Sequence, residues 1–197
     1  VKNDDLLDIL LENRNIKTKL EKKEFLSPDL SKVKSKSVGI NAQNLKKTIK
    51  RIHKAIENKE KIIVFGDYDV DGICGTAILW ETLNRLDANV LPYIPSRFEE
   101  GYGLSVKGIG NVFAQNPDIK LIITVDNGIV ANEAVEYANK KGIDVIITDH
   151  HVPSKTLQKA FAIVHTTAVC GAGVAYLLSQ EIKNQKSNLK NKILNTK

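Results

Sequence analysis

The hydrophobic pattern changes period repeatedly along the middle of this chain, and few folds accommodate that. Lys61-Ile-Ile-Val-Phe-Gly66 is a short apolar run, and a helical stretch follows over 73–86. Further short runs occur over 89–94, 120–125, 144–148 and 160–165, with helical stretches between them over 105–115 and 131–141. Leu45, Ile49, Ile52 and Ile56 mark one face of an amphipathic helix over 41–58, and a last helix follows over 174–184. Short runs that are apolar at every position read as strands covered on both faces. Strands that alternate with helices pair in parallel, because each connection must recross the sheet. The pattern predicts an α/β fold, a parallel five-stranded sheet with helices on both faces. At 197 residues the chain can bury one such core. Leu6, Leu7, Ile9, Leu10 and Leu11 predict an N-terminal helical segment over 4–13, and the Lys- and Ser-rich residues 17–39 read as a linker wrapping the core. Three regions result. They are an N-terminal helix and basic linker (1–40), a catalytic domain (41–185), and a basic tail or start of a linker to further domains (186–197).

Charge follows this division. The net of +6 splits into +6 for residues 1–60, −6 for 61–150 and +6 for 151–197. Acidic side chains concentrated in a folded core need a cation or a solvated face. The basic flanks suit a phosphate backbone. No run approaches the ~18 apolar residues of a membrane span, and the N-terminus lacks an apolar signal core. Cys74 and Cys170 are the only cysteines, too few for a disulfide framework, which suits the reducing cytoplasm. No Met occurs, even at position 1, as expected of a piece of a longer chain.

In open α/β folds, ligands bind at the carboxyl ends of strands. The first strand here ends in Asp67-Tyr-Asp-Val-Asp-Gly72, the third in Asp126-Asn-Gly128 and the fourth in Asp149-His-His151. Charges brought together there would repel and raise each other's pKa, and divalent cations remove the conflict. Carboxylates with one or two imidazoles suit Mn²⁺ or Mg²⁺, and two such ions could share one carboxylate and clamp a phosphoryl group. A central strand should supply the shared ligand, which favours Asp126. The first cluster also matches the opening of an EF-hand loop, but Ile78 stands where that loop needs Glu, and a strand precedes it instead of a helix. A phosphorylatable aspartate pocket would need neither His150 nor His151. A turn-capping role for those two histidines is the weaker reading beside three acidic strand ends. His53 reads as surface, His165 as structural, and Cys74 as a packed residue opening the first core helix.

These three clusters resemble motifs one to three of the DHH phosphoesterase superfamily. Phe65-Gly-Asp-Tyr-Asp-Val-Asp-Gly-Ile73 and Pro95-Ser-Arg-Phe-Glu-Glu-Gly-Tyr-Gly103 are most similar to its RecJ branch, bacterial exonucleases specific for single strands. Gly171-Ala-Gly-Val-Ala175 resembles that branch's glycine-rich segment. The resemblance covers roughly residues 40–185. It implies metal-dependent phosphodiester hydrolysis, as a 5′→3′ exonuclease on single-stranded DNA in repair and recombination, with two divalent cations, Mn²⁺ or Mg²⁺. Other repair proteins would be its partners. Two further readings stand beside it, a phosphodiesterase on short oligonucleotides or cyclic dinucleotides, and a non-catalytic DNA-binding scaffold. By resemblance, Asp67, Asp69 and Asp126 would hold one ion, and Asp71, His150 and Asp126 the other. His151 would face the scissile phosphate. Arg97 would grip a DNA phosphate, or else pair with Glu99 or Glu100. Gly171 and Gly173 would let backbone approach a phosphate, or else serve close packing. Two departures stand out. Nothing acidic follows Glu181, so the branch's later metal-ligating Asp is missing, and the stretch between His165 and Gly171 is shorter than usual.

Overall fold

The computed structural model describes residues 3–154 and 159–194. Five strands, β1 (Lys61–Phe65), β2 (Val90–Tyr93), β3 (Ile119–Thr124), β4 (Asp144–Asp149) and β5 (Ala162–His165), form one sheet in the order β2-β1-β3-β4-β5. Every pairing is parallel. The helices are α1 (Asn3–Glu12), α2 (Lys19–Leu26), α3 (Ala42–Glu57), α4 (Val70–Asn84), α5 (Val106–Gln115), α6 (Asn132–Lys140) and α7 (Gly171–Leu194).

Successive strand side chains point to opposite faces, so each strand feeds two cores. Ile62, Val64, Leu121, Ile123 and Ile146 pack with Ile49 and Ile52 of α3, Leu79 and Leu83 of α4, and Val174 and Leu178 of α7. Ile63, Phe65, Ile122, Val145 and Ile147 pack with Ile109 and Val112 of α5 and with Val135 and Ala138 of α6. Helices therefore cover both faces, as expected. The chain leaves β1 toward one edge and later returns to β3 on its other side. The strand order reverses between these two neighbours, and a crevice opens at their carboxyl ends. That crevice is where the acidic strand ends meet.

Four local readings change. The stretch read as a linker contains α2, started by a capping box. Thr18 Oγ1 accepts from Glu21 N, and the Glu21 carboxylate accepts from Thr18 N. No residue of α2 is buried, so no apolar stripe announces it. Helix α4 begins at Val70, three residues early, because the Asp69 carboxylate accepts from Gly72 N at 2.9 Å and caps it. Cys74 does not pack into the core; it is exposed, as is Cys170. His53 is half-buried, not a free surface residue. No described helix is long and apolar enough to cross a membrane.

At the amino edge of the sheet, buried Arg51 ties α3 to β4. Its Nε donates to Asp144 Oδ2 at 2.6 Å, and its Nη1 lies 2.7 Å from Glu60 Oε2. Breaking a fully buried pair costs about 3–5 kcal/mol, and Asp144 opens to solvent, so Arg51→Met should cost about 2 kcal/mol. Urea unfolding checks this, and a variant as stable as the parent would refute it.

Candidate metal centre

Beyond β1, Asp67 is wholly buried. Its Oδ1 accepts from Tyr68 N at 2.7 Å, and its Oδ2 has no hydrogen-bond partner among the described residues. The first turn of α4 presses directly on it. A Cβ at Gly72 would lie 2.5 Å from Asp67 Cβ and 2.6 Å from Asp67 N. Only glycine permits that approach, which accounts for the Asp-Gly pair closing the motif.

Beyond β3, Asp126 takes a left-handed backbone, φ +64°, uncommon for a residue with a side chain. Asn127 supports this turn. Its amide donates to the carbonyls of Phe65 and Val125, and its Oδ1 accepts from Leu104 N, tying β1, β3 and the loop before α5 together. The Asp126 carboxylate faces the crevice, buried, and its Oδ1 also lacks a hydrogen bond. His150 Nε2 lies 3.0 Å from that oxygen, without hydrogen-bond alignment. Burial and the charges of Asp71 and Asp69 push the Asp126 carboxyl up to about 7.

The structure brings the donors into two groups, each within 4.8 Å, one of Asp67, Asp69 and Asp126, the other of Asp126, His150 and His151. Asp126 belongs to both. Asp71 stands partly apart. Its two carboxylate oxygens accept from the Gly171 and Ala172 amides at 2.6 and 2.7 Å, at the start of α7, while His150 Nε2 lies 3.6 Å away. Burial opposes ionisation of Asp71, but the amides of Ala172 and Gly171 and the Cys170 side chain outweigh it and lower its pKa.

Asp149 has a part the sequence did not disclose. Its Oδ1 accepts from the backbone amides of His150 and His151 and lies 2.8 Å from His151 Nδ1, while its Oδ2 accepts from Ile129 N. A buried carboxylate whose oxygens are already committed is an orienting group for His151. Burial works against the His151 charge, but the hydrogen bond and charge of Asp149 overcome it, so its pKa is raised. With Nδ1 held, Nε2 faces the rim, 3.4 Å from the Tyr102 hydroxyl. His165 keeps its structural role, its Nε2 sitting 2.7 Å from the His151 carbonyl.

Arg97 forms no ion pair with Glu99 or Glu100 among the described residues. Its exposed guanidinium lies 5.2 Å from the centroid of the Tyr68 ring. The two glycines expected near a phosphate are accounted for by close packing. A Cβ at Gly171 would fall 2.6 Å from Asp126 Cβ, and one at Gly173 would fall 3.0 Å from Val169 Cβ. The Gly171 amide is already committed to Asp71.

Two buried carboxylate oxygens, one beyond each central strand, accept no hydrogen bond among the described residues, and His150 stands beside one of them; that is costly unless something cationic satisfies them. Carboxylate and imidazole donors, with no thiolate in either group, fit Mn²⁺ or Mg²⁺.

Comparison with known proteins agrees with this chemistry. The sequence profile of the DHH family, N-terminal domain, matches residues 61–196. The single-stranded-DNA-specific exonuclease RecJ of Bacillus subtilis is 40% identical over 149 residues, 71% of this chain and 19% of that protein. The crystal structure of an exonuclease RecJ bound to manganese superposes with a TM-score of 0.66 at 36% identity, over 72% of this chain and 38% of that one. The structure of RecJ in complex with Mn²⁺ from Thermus thermophilus matches with a TM-score of 0.66 at 29% identity, covering 90% of this chain and 24% of its own. The chain thus spans only about a fifth to two-fifths of these relatives.

Proposed function

This chain belongs to the DHH family, and from that premise we propose that it carries the hydrolytic centre of a metal-dependent exonuclease acting on single-stranded DNA. The observation that carries the reading is the pair of buried oxygens that accept no hydrogen bond among the described residues, Asp67 Oδ2 and Asp126 Oδ1, within the two donor groups that share Asp126. A non-catalytic scaffold would have no use for that arrangement, and the likeness to RecJ proteins does not favour a cyclic-dinucleotide enzyme. We place the catalytic unit in residues 41–185, with the basic flanks drawing in the phosphate backbone. Work in DNA repair and recombination, alongside other repair proteins in the cytoplasm, and digestion from the 5′ end complete the proposal. These parts rest on the resemblance to RecJ exonucleases alone, and the relatives' specificity for single strands supports only the choice of substrate.

Asp67, Asp69 and Asp126 would hold one divalent cation, and Asp126 with His150 the second, with Asp71 at its border. Bound there, Mn²⁺ or Mg²⁺ supplies Lewis acidity and lowers the pKa of water. The remaining work falls to the chain itself. Asp149 holds the His151 ring through Nδ1 and raises its pKa, which favours the charged ring, and Nε2 is then placed to donate to a phosphoryl oxygen as negative charge develops. Asn127 keeps the β1 and β3 loops at fixed separation. Arg97 is placed to grip a phosphate through its bidentate fork.

With Mn²⁺ and 5′-labelled single strands, the protein should release mononucleotides and be far slower on dinucleotides, and titration should show two Mn²⁺ per chain. Absence of product while a control nuclease works would refute the proposal. Absence of metal binding would leave a scaffold.

A further inference from the structure

The loop between β2 and α5 closes in a turn held from inside. Glu100 N donates to the Ser96 carbonyl, and Ser96 N donates to the Glu100 carboxylate, both at 2.8 Å. The same carboxylate accepts from the Tyr93 hydroxyl and from Asn111 Nδ2, and it is only 8% exposed. Lys107 Nζ adds a bond to the Glu99 carbonyl. Burying a carboxylate is unfavourable unless its bonds are made, and here they are made to hold one turn still. At the apex Phe98 is 96% exposed.

A single exposed apolar residue is ordinary. This one follows directly in sequence on Arg97, where a line of side chains leading out from the metal centre ends. Its neighbour Arg97 lies over Tyr68; Tyr68 meets Tyr102 edge-on with centroids 6.1 Å apart, and Tyr102 meets the His151 ring edge-on at 6.4 Å. A strand whose scissile phosphate lies at His151 would run back along that line, bringing the phosphate contact of Arg97 and the ring of Phe98 to neighbouring nucleotides.

We propose that Phe98 is a stacking platform for one base of the bound single strand, and that Glu100 is the positioning residue that holds it in place. This rests on the nuclease reading of the site. Every base has a face that stacks on an aromatic ring, so such a platform adds affinity without sequence preference.

The test is fluorescence anisotropy with fluorescein-labelled oligothymidylate in EDTA, where no strand is cut. Phe98 makes almost no contact with the protein, so Phe98→Ala should fold normally and bind about tenfold more weakly, with Phe98→Trp restoring affinity. A single abasic position should weaken the parent by the same factor at one place in the strand, and Phe98→Ala should lose nothing further there. Glu100→Ala, with its fold checked by circular dichroism, should match Phe98→Ala. Unchanged binding by Phe98→Ala, or full sensitivity of that variant to the abasic position, overturns the platform. Undiminished binding by Glu100→Ala overturns the positioning role. A parent chain that binds no single strand brings down the nuclease reading and this inference together, whereas a binding parent with an indifferent Phe98→Ala sinks this inference alone.

Discussion

Asp126→Asn should lower turnover by at least about a thousandfold and remove the paired Mn²⁺ sites, yet leave a folded protein that is more stable than the parent in EDTA. The activity loss follows because the residue belongs to both donor groups and an amide is a poor ligand; losing several kcal/mol of charge stabilisation is about three powers of ten in rate. The stability gain has a separate cause. Burial and the charges of Asp71 and Asp69 hold the Asp126 carboxyl at about 7, above its ordinary value of 3.8. A carboxyl raised on folding contributes stability that is fully present below its unfolded pKa and disappears as pH rises through the folded value. The advantage of the Asn variant in EDTA should therefore be absent near pH 3.5, grow from about pH 4 and level off above pH 7. Asn also tolerates the left-handed backbone that this position requires. Melting curves across that pH range, with activity in Mn²⁺, test both parts. An active variant would dismiss Asp126 as the shared ligand, and a pH-independent difference in melting would dismiss the electrostatic argument.

Asp149→Asn should be nearly as damaging, through orientation instead of ligation. All the groups around its carboxylate are donors, the amides of Ile129, His150 and His151 together with His151 Nδ1. An asparagine amide must turn its own NH₂ toward one of them. One unsatisfied buried donor pair costs about 1–3 kcal/mol of stability. If the ring of His151 turns as a result, its Nε2 no longer meets the phosphate, a loss of about a hundredfold or more in kcat. Two-metal binding should survive better than in Asp126→Asn, because Asp149 belongs to neither donor group. The decisive comparison is the double variant Asp149→Asn, His151→Ala. If Asp149 acts through His151, the double variant should be no slower than His151→Ala alone, and multiplying losses would show an independent role.

The sheet and its acidic rim were legible because both depend on neighbours in sequence. An apolar strand is recognised from its own run of residues, and Asp67, Asp126 and Asp149 each follow such a run directly. Other features depend on contacts made far along the chain. The two oxygens of Asp71 are taken by amides of Gly171 and Ala172, a hundred residues away, so its motif reads like that of its neighbours while its bonding differs. Asp149 stands in a metal-like motif, and only the arrival of Ile129 N and the folding back of His151 turn it into an orienting group. The spacing Thr18-x-x-Glu21 did carry a signal for α2, but with none of its residues buried there was no apolar stripe to weigh against the lysines.

The donor-bearing loops hang from β1, β3 and β4, each of which is paired on both sides. Interior strands of this kind come apart only when the whole domain does, whereas elements with few buried contacts open on their own. The proposed catalysis would therefore be coupled to the cooperative unit of the fold. A molecule whose α2 has detached keeps every donor in place, while one that has lost β3 keeps no shared ligand. Heating should leave the surviving activity proportional to the surviving fraction of native sheet, with no inactive yet folded species accumulating between them.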